Sequence, residues 1–428
     1  DDDCDGETDE NGCDIGSPCS DDAACRSSGL VCNENWGGCV VGDCTGERNF
    51  TPCELITSPD RSYDICVDDS CLSPGCGDAS CNAPGPNGTL EDTGQRICTN
   101  LIGFPPMSCP GTPGTAECET AEFCGQDAQY GWDATHDPGE RFERTEPVEG
   151  EPIVTDAVTG VVWTGCVAGR GGTACGARHP EYFAWEDAVT YCDALTWAGR
   201  SDWRLPDEFE LQSVVDHGHG SAPTIYADAF PEGPSDAWSS SSDARRSSDA
   251  WGVYFSSTGY AGSLDKSFAT FVLCVHRAAS YGGVTLPRFE RTEAVAGYPA
   301  VADAATGLMW QGCAAGETGV ACTGSPASMT WQEALDYCQD SMWAGFSDWY
   351  LPNVVELRSI VDDRVSAPSL DSDAFPGAVV PGGQVWSSTS CADHWDLAWH
   401  VEFASGGVGG SDKRSSAGDG VRCVRQAF

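Results

Sequence analysis

A chain of 428 residues with a net charge of −44 repels nucleic acid and anionic membrane surfaces, so neither is expected as a partner. Hydrophobic residues make up 40%, enough for a core, yet no apolar run approaches the roughly 18 residues that read as a membrane span. The 25 cysteines exclude a reducing compartment unless they bind metal. Neither a Cys-x2-Cys zinc knuckle nor a haem-attachment motif occurs, which leaves disulfides and export. Because the chain opens on Asp1-Asp2-Asp3, an exported form is expected to be a mature or trimmed one.

Residues 1–140 hold 16 of the 25 cysteines, and Gly, Pro, Ser and Asn are dense there. A segment without periodic apolar positions cannot fold on hydrophobic burial alone, so cross-links must replace a core. The expectation is a disulfide-stapled, mostly irregular module, with a connectivity that spacing does not reveal.

The remainder is one domain copied twice, with boundaries at 141–287 and 288–428. Arg141-Phe142-Glu143-Arg144-Thr145-Glu146 recurs as Arg288-Phe289-Glu290-Arg291-Thr292-Glu293, and Ser201-Asp202-Trp203 as Ser347-Asp348-Trp349. Within each copy, a Thr-Gly turn before Trp163 or Trp310 predicts a hairpin. Trp331, Ala334, Leu335 and Cys338 then fall on one helical face, with Thr330 and Glu333 as a capping box. Short helices are expected over 207–215 and 354–361, after Leu-Pro. Alternation such as Trp399-His400-Val401-Glu402-Phe403 predicts antiparallel strands in the last third. The fold class is α+β.

Four cysteines recur in each copy. Cys166 and Cys175 flank a Gly-rich loop and are expected to pair locally, as are Cys313 and Cys322. Cys192 on the helix and Cys274 on the last strand would close most of the domain, and Cys338 with Cys423 would do the same in the second copy. Cys391 has no counterpart, Asp243 standing in its place. An odd cysteine in an exported chain points to an intermolecular bridge or a free thiol.

Asp348-Trp349-Tyr350-Leu351-Pro352 with Glu356-Leu357, then Val385-Trp386-Ser387-Ser388, then Val421-Arg422-Cys423-Val424-Arg425 make a specific pattern. It resembles the C-terminal domain family of the Legionella collagen-like surface protein, related to C-type-lectin-like and formylglycine-generating-enzyme folds. The resemblance spans both copies and is closer in the second. It implies two tandem lectin-like domains, the helix-to-last-strand disulfide of such a fold, and glycan or glycosaminoglycan binding in some members. A shorter resemblance, over Asp1 to Glu10, is to the metal-binding repeat of the MopE type of bacterial surface protein. Alternating Asp1, Asp3 and Asp5 before Gly6, with Asp9 following, is a calcium-loop pattern, although Gly12 replaces the Glu of an EF-hand.

Three function classes remain: a structural subunit of an extracellular fibre or appendage that self-associates, a glycan-binding adhesin, and a thiol-dependent enzyme. Two similar domains can interlock head to tail into open filaments, which favours the first. Sulfated glycans need a basic cluster, for which Arg245-Arg246 is the candidate; the exposed-aromatic route serves neutral sugars. Cys391 with His394 would supply a thiol and a base, and His217-Gly218-His219 a metal site. No nucleophile-elbow, P-loop or His-Glu-x-x-His motif occurs. The expectation is a non-enzymatic extracellular surface protein with calcium as the one cofactor.

Overall fold

The computed structural model describes the backbone of residues 30–33, 38–41, 52–53, 64–67 and 70–72, and separate positions between 90 and 130. It also describes residues 141–277 and 288–427, apart from 257–258, 363–364, 378–382 and 416–418. Contacts group the chain into two compact units, Asp1–Thr89 with Ala302–Met309 and Gln426–Phe428, and Leu90–Val301 with Trp310–Arg425. The calcium candidates Asp1, Asp3, Asp5 and Asp9 lie outside the described residues.

In the first unit a five-stranded sheet runs in chain order: β1 (Leu30–Asn33), β2 (Gly38–Val41), β3 (Pro52–Cys53), β4 (Asp64–Val67) and β5 (Ser70–Leu72). Its pairs are antiparallel except β2 with β3. The module expected to be mostly irregular therefore carries a small sheet.

The second unit contains the first repeat domain and most of the second. The first has β6 (Phe142–Val148), β7 (Glu151–Asp156) and β8 (Val161–Thr164), and helices over Trp185–Ala194 and Glu208–Gln212. It continues through β9 (Asp236–Ser242), β10 (Asp249–Tyr254), β11 (Tyr260–Asp265) and β12 (Val275–Arg277). The second domain repeats the order with β13 (Phe289–Thr292), β14 (Ala300–Asp303), β15 (Leu308–Gln311) and a small hairpin of β16 (Glu317–Thr318) and β17 (Thr323–Gly324). Helices Trp331–Gln339 and Val354–Arg358 follow, then β18 (Gln384–Ser390), β19 (Leu397–Glu402), β20 (Gly407–Asp412), β21 (Asp419–Gly420) and β22 (Val424–Gln426). With a short helix at Ala116–Glu119 as α1, the helices of the domains are α2 and α3, then α4 and α5.

The repeated sequence motifs now have physical roles. Arg141 forks onto Asp156 at 3.1 and 2.7 Å and donates to the Ser213 carbonyl at 2.8 Å, all buried. Arg144 donates to the carbonyls of Gly165, Ala229 and Thr173, and Arg291 to those of Gly312, Ala374 and Val320. These clamps fix the hairpins closed by Cys166–Cys175 and Cys313–Cys322. Glycine is required beneath them, since a Cβ on Gly165 or Gly312 would lie 2.7 or 2.6 Å from the guanidinium. Cys192–Cys274 and Cys338–Cys423 tie α2 and α4 to the last strands across 82 and 85 residues. In the loop-entropy model, closures of that length each contribute about 4–5 kcal/mol.

The two domains share one sheet, in the order β21-β18-β19-β20-β11-β10-β9. The joint is β11 against β20, antiparallel, with Ala261 opposite Val408. These two residues occupy the same repeat position, so the joint is a pseudo-twofold between the copies. Arg358 on α5 crosses it, lying 3.6 Å from the Glu208 carboxylate, with its guanidinium 5.0 Å from the centre of the Phe209 ring.

Composition groups residues 90–130 with the Cys-rich block, but contacts group them with the repeats. This strap is closed by Cys98–Cys109 and Cys118–Cys124, and it lies on the second domain.

Candidate binding face

Each domain presents the start of its long helix beside the end of a strand: α2 beside β9, and α4 beside β18. The sequence builds this corner identically in both. The Trp185 indole N–H donates to the Ser239 carbonyl at 2.8 Å, and the Trp331 indole to that of Ser387 at 2.7 Å. The backbone N–H groups of Trp185 and Trp331 accordingly anchor the loop after β11 or β20, donating to the carbonyls of Lys266 and Lys413, each at 3.0 Å.

Those two residues are the only lysines in the chain, and they stand at the same place in the two copies. Lys266 Nζ sits 4.2 Å from the centre of the Trp185 ring, and Lys413 Nζ 4.4 Å from that of Trp331. An ammonium over an indole face gains cation–π attraction and keeps three donors in hand. Lys266 spends them on Ser242 Oγ and the Ser247 carbonyl, each at 3.0 Å. Lys413 spends them on Ser390 Oγ at 2.9 Å, the Trp395 carbonyl at 2.8 Å and the Thr99 hydroxyl at 2.7 Å.

Thr99 belongs to the strap, and the strap separates the two faces. Phe123 packs on Trp331 with ring centres 4.8 Å apart. Gln95 forms a double amide pair with Ser390, donating to its carbonyl at 2.6 Å and accepting from its N–H at 3.0 Å. The Thr389 hydroxyl donates to Asp127 at 2.7 Å. The helix side chains complete the seat: Gln332 accepts from the Phe123 N–H at 2.6 Å, and Gln339 donates to the Cys124 carbonyl at 2.7 Å. Trp331 and Ser390 are consequently 0% exposed and Lys413 1%. In the first domain Trp185 and Lys266 are half-buried and Ser242 is exposed.

Coverage also sets the electrostatics. Burial lowers the Lys413 ammonium to about 7, partly opposed by Cys391 and Asp396. Burial also lifts Glu356 to about 7, against the hydrogen bonds from Asn353 and Tyr350 that favour its charge. The Tyr350 hydroxyl donates to Glu356 at 2.7 Å, and Tyr130 of the strap lies against Tyr350 with ring centres 5.1 Å apart. The first domain replaces this pair with Arg204 on Glu210, at 2.6 and 2.7 Å.

The remaining expected groups fall elsewhere. Cys391 is free but buried at 2%, and burial pushes its thiol up. A thiol so enclosed is not presented at the surface of the described domain. His394 is exposed and lies 3.7 Å from Asp393. His217 is buried edge-on to Trp399, with ring centres 5.0 Å apart, and desolvation lowers it to about 3. His219 is exposed and meets Ser221 at 3.1 Å. Among the described residues no group of His, Cys, Asp or Glu could hold a metal ion. Arg245 pairs with Asp243 and Arg246 with Asp249, at 2.8 and 3.0 Å, so each arginine of the proposed sulfate cluster is paired within its own turn. Among the described residues no helix is long and apolar enough to cross a membrane.

The family model of the Lcl C-terminal domain matches twice, over residues 152–276 and 299–425. The chain belongs to this family. No curated protein matches it. Within the matched spans, the residues that carried the resemblance are framework. Trp349 and Trp386 are buried, Tyr350 bridges to Val424, and Cys423 closes the long disulfide. The described domains are α+β, tandem and disulfide-rich, and with the family match they fit a secreted or surface protein.

The lysine corner was not singled out from sequence. Its signal was nevertheless present, because the only two lysines of an Arg-based chain recur at one repeat position.

Proposed function

We propose that this chain is a non-enzymatic extracellular surface protein serving as a structural subunit of a fibre or appendage. The observation that carries this reading is the single sheet shared by both domains through Ala261 and Val408. Tandem domains that merely bind ligands need no such joint. A subunit that transmits load gains from one, because strand hydrogen bonds and the buried Arg358–Glu208 contact must break together. Disulfide stapling of every repeat supports persistence outside the cell. In this reading calcium would be held by Asp1, Asp3, Asp5 and Asp9.

The test is negative-stain microscopy of the native protein with and without a calcium chelator. Ordered fibres are expected, with loss on chelation assigning calcium a role. Isolated monomers under both conditions contradict the fibre reading. A second reading, a glycan-binding adhesin, is favoured by the half-buried Trp185 with exposed Tyr182 close to it in sequence and exposed Phe268 close to Lys266 in sequence. It requires a sugar-dependent rise in thermal stability.

A further inference from the structure

The second domain shows what its corner of helix and strand is shaped to hold: a disulfide-closed polypeptide segment. The strap supplies an aromatic ring to Trp331, an oxygen acceptor to Lys413, an amide to the Ser390 backbone and a carboxylate to the Thr389 hydroxyl. The first domain keeps the indole, the ammonium and the strand hydroxyls of this corner. Trp185 and Lys266 stack in the same way, and Ser242 stands where Ser390 does. Ser241 replaces Thr389 and is oriented alike, accepting from the Glu208 N–H at 3.1 Å as Thr389 accepts from that of Val354 at 2.9 Å. Among the described residues the strap meets the first domain at His217, whose N–H donates to the Thr93 carbonyl at 2.9 Å, and no strap residue is placed at the Trp185–Lys266 corner.

Two changes alter what fits. Gln332 and Gln339, which hold the strap at Phe123 and Cys124, are Glu186 and Asp193 in the first domain, both exposed. A carboxylate at 193 cannot donate to a backbone carbonyl as Gln339 does, and two negative charges replace two neutral amides. The chain's own strap is acidic at this point, with Glu119 and Glu122 beside Phe123, and would be repelled.

We propose that the Trp185–Lys266 face of the first domain docks a polypeptide segment of a partner protein, presenting an aromatic residue flanked by Lys or Arg. It deepens the assembly reading above and rests on it, since it names the contact through which the subunit would join a neighbour of different sequence. The aromatic side chain takes the place of Phe123 beside Trp185, and the basic groups meet Glu186 and Asp193. Opposite charges steer such an encounter and set its specificity.

The test uses the full chain and two synthetic, disulfide-closed peptides. One has the native sequence of residues 93–130, and the other carries E119K and E122K. Binding is followed by calorimetry at low and physiological salt. The basic peptide is expected to bind at least tenfold more tightly than the native one, with the difference shrinking in salt. The variant E186Q/D193Q should reverse that preference, and Ser242→Arg, at an exposed position outside the core, should abolish binding of both. Trp185→Ala should do the same, with thermal melting confirming that it folds. Equal binding of the two peptides, no binding of either, or binding that survives Ser242→Arg would overturn the proposal. A stability shift with a neutral oligosaccharide that needs Trp185, together with indifference to both peptides, would overturn it in favour of the glycan reading. Peptide binding as expected in a protein that forms no fibres would leave this docking site standing and remove only the fibre.

Discussion

The same helix and strand occur twice in this chain with opposite surroundings. In α4, Thr330 caps the helix through a reciprocal capping box with Glu333, and Trp331, Ala334, Leu335 and Cys338 are all buried. In α2, Ala184 offers no side-chain cap, and only Ala188 and Cys192 are buried. A cap of the Thr330 type contributes about 1 kcal/mol. The backbone corner, the indole hydrogen bond and the lysine are nonetheless the same. The difference therefore lies in what covers the corner rather than in the fold, and it teaches that the framework is maintained apart from its ligand.

The largest expected effect on this comparison comes from the disulfides. Replacing Cys338 and Cys423 together by Ala should cost about 4–5 kcal/mol in chemical denaturation, and Cys192 with Cys274 about the same. Removing the short Cys313–Cys322 closure should cost less, about 3 kcal/mol or below. Equal losses for long and short closures would mean that the bridges act through native packing instead.

Next come the lysines. Lys413→Met removes three donors from a sealed pocket and leaves Thr99 and Ser390 to rearrange, so a loss of about 2–3 kcal/mol is expected. Lys266→Met, at a half-open site, should cost less than about 1 kcal/mol. Comparable losses would erase the distinction between the faces.

The pH dependence sharpens it further. Lys413 is held near 7 when folded, against about 10.4 in an unfolded chain. The unfolded state binds the extra proton between those values, so this group's contribution raises stability as pH rises from about 7 to about 10. Lys413→Met should flatten that rise, measured as the difference in denaturation midpoint between the two proteins. His217 is lowered to about 3, so its stabilising neutral form is retained above about 6.5 and stability is lost as pH falls from there toward 3. His217→Phe should lessen that acid loss. The smallest effect is expected at Ser242→Ala, within about 0.5 kcal/mol, because its side chain is exposed.

Much of the framework was legible because repetition doubled every signal. The apolar spacing of Trp331, Ala334, Leu335 and Cys338 marked α4, and matched cysteines pointed to closures at the ends of the hairpin and of the domain. The short helices proved shorter than the pattern suggested, Glu208–Gln212 and Val354–Arg358. After them the chain turns into buried loops that carry Val214, Val215, Ile360 and Val361 into the core. The strap was not legible, since its Gly- and Cys-rich composition matches the block before it. Its seat depends on pairs nearly 300 residues apart, such as Gln95 with Ser390, which no local pattern encodes. The joint of Ala261 and Val408 was hidden for the same reason: small and β-branched residues on a strand do not announce which edge they will meet.

The most direct test of the covered and uncovered faces uses the fact that the chain holds two lysines. Brief treatment of the native protein with an amine-reactive reagent, followed by digestion and mass spectrometry, reads both corners in one sample. Rapid modification of Lys266 with Lys413 protected until denaturant is added is the expected result. Equal labelling of the two lysines in the native protein, or faster labelling of Lys413, would contradict the account that the strap seals one face and leaves its twin open.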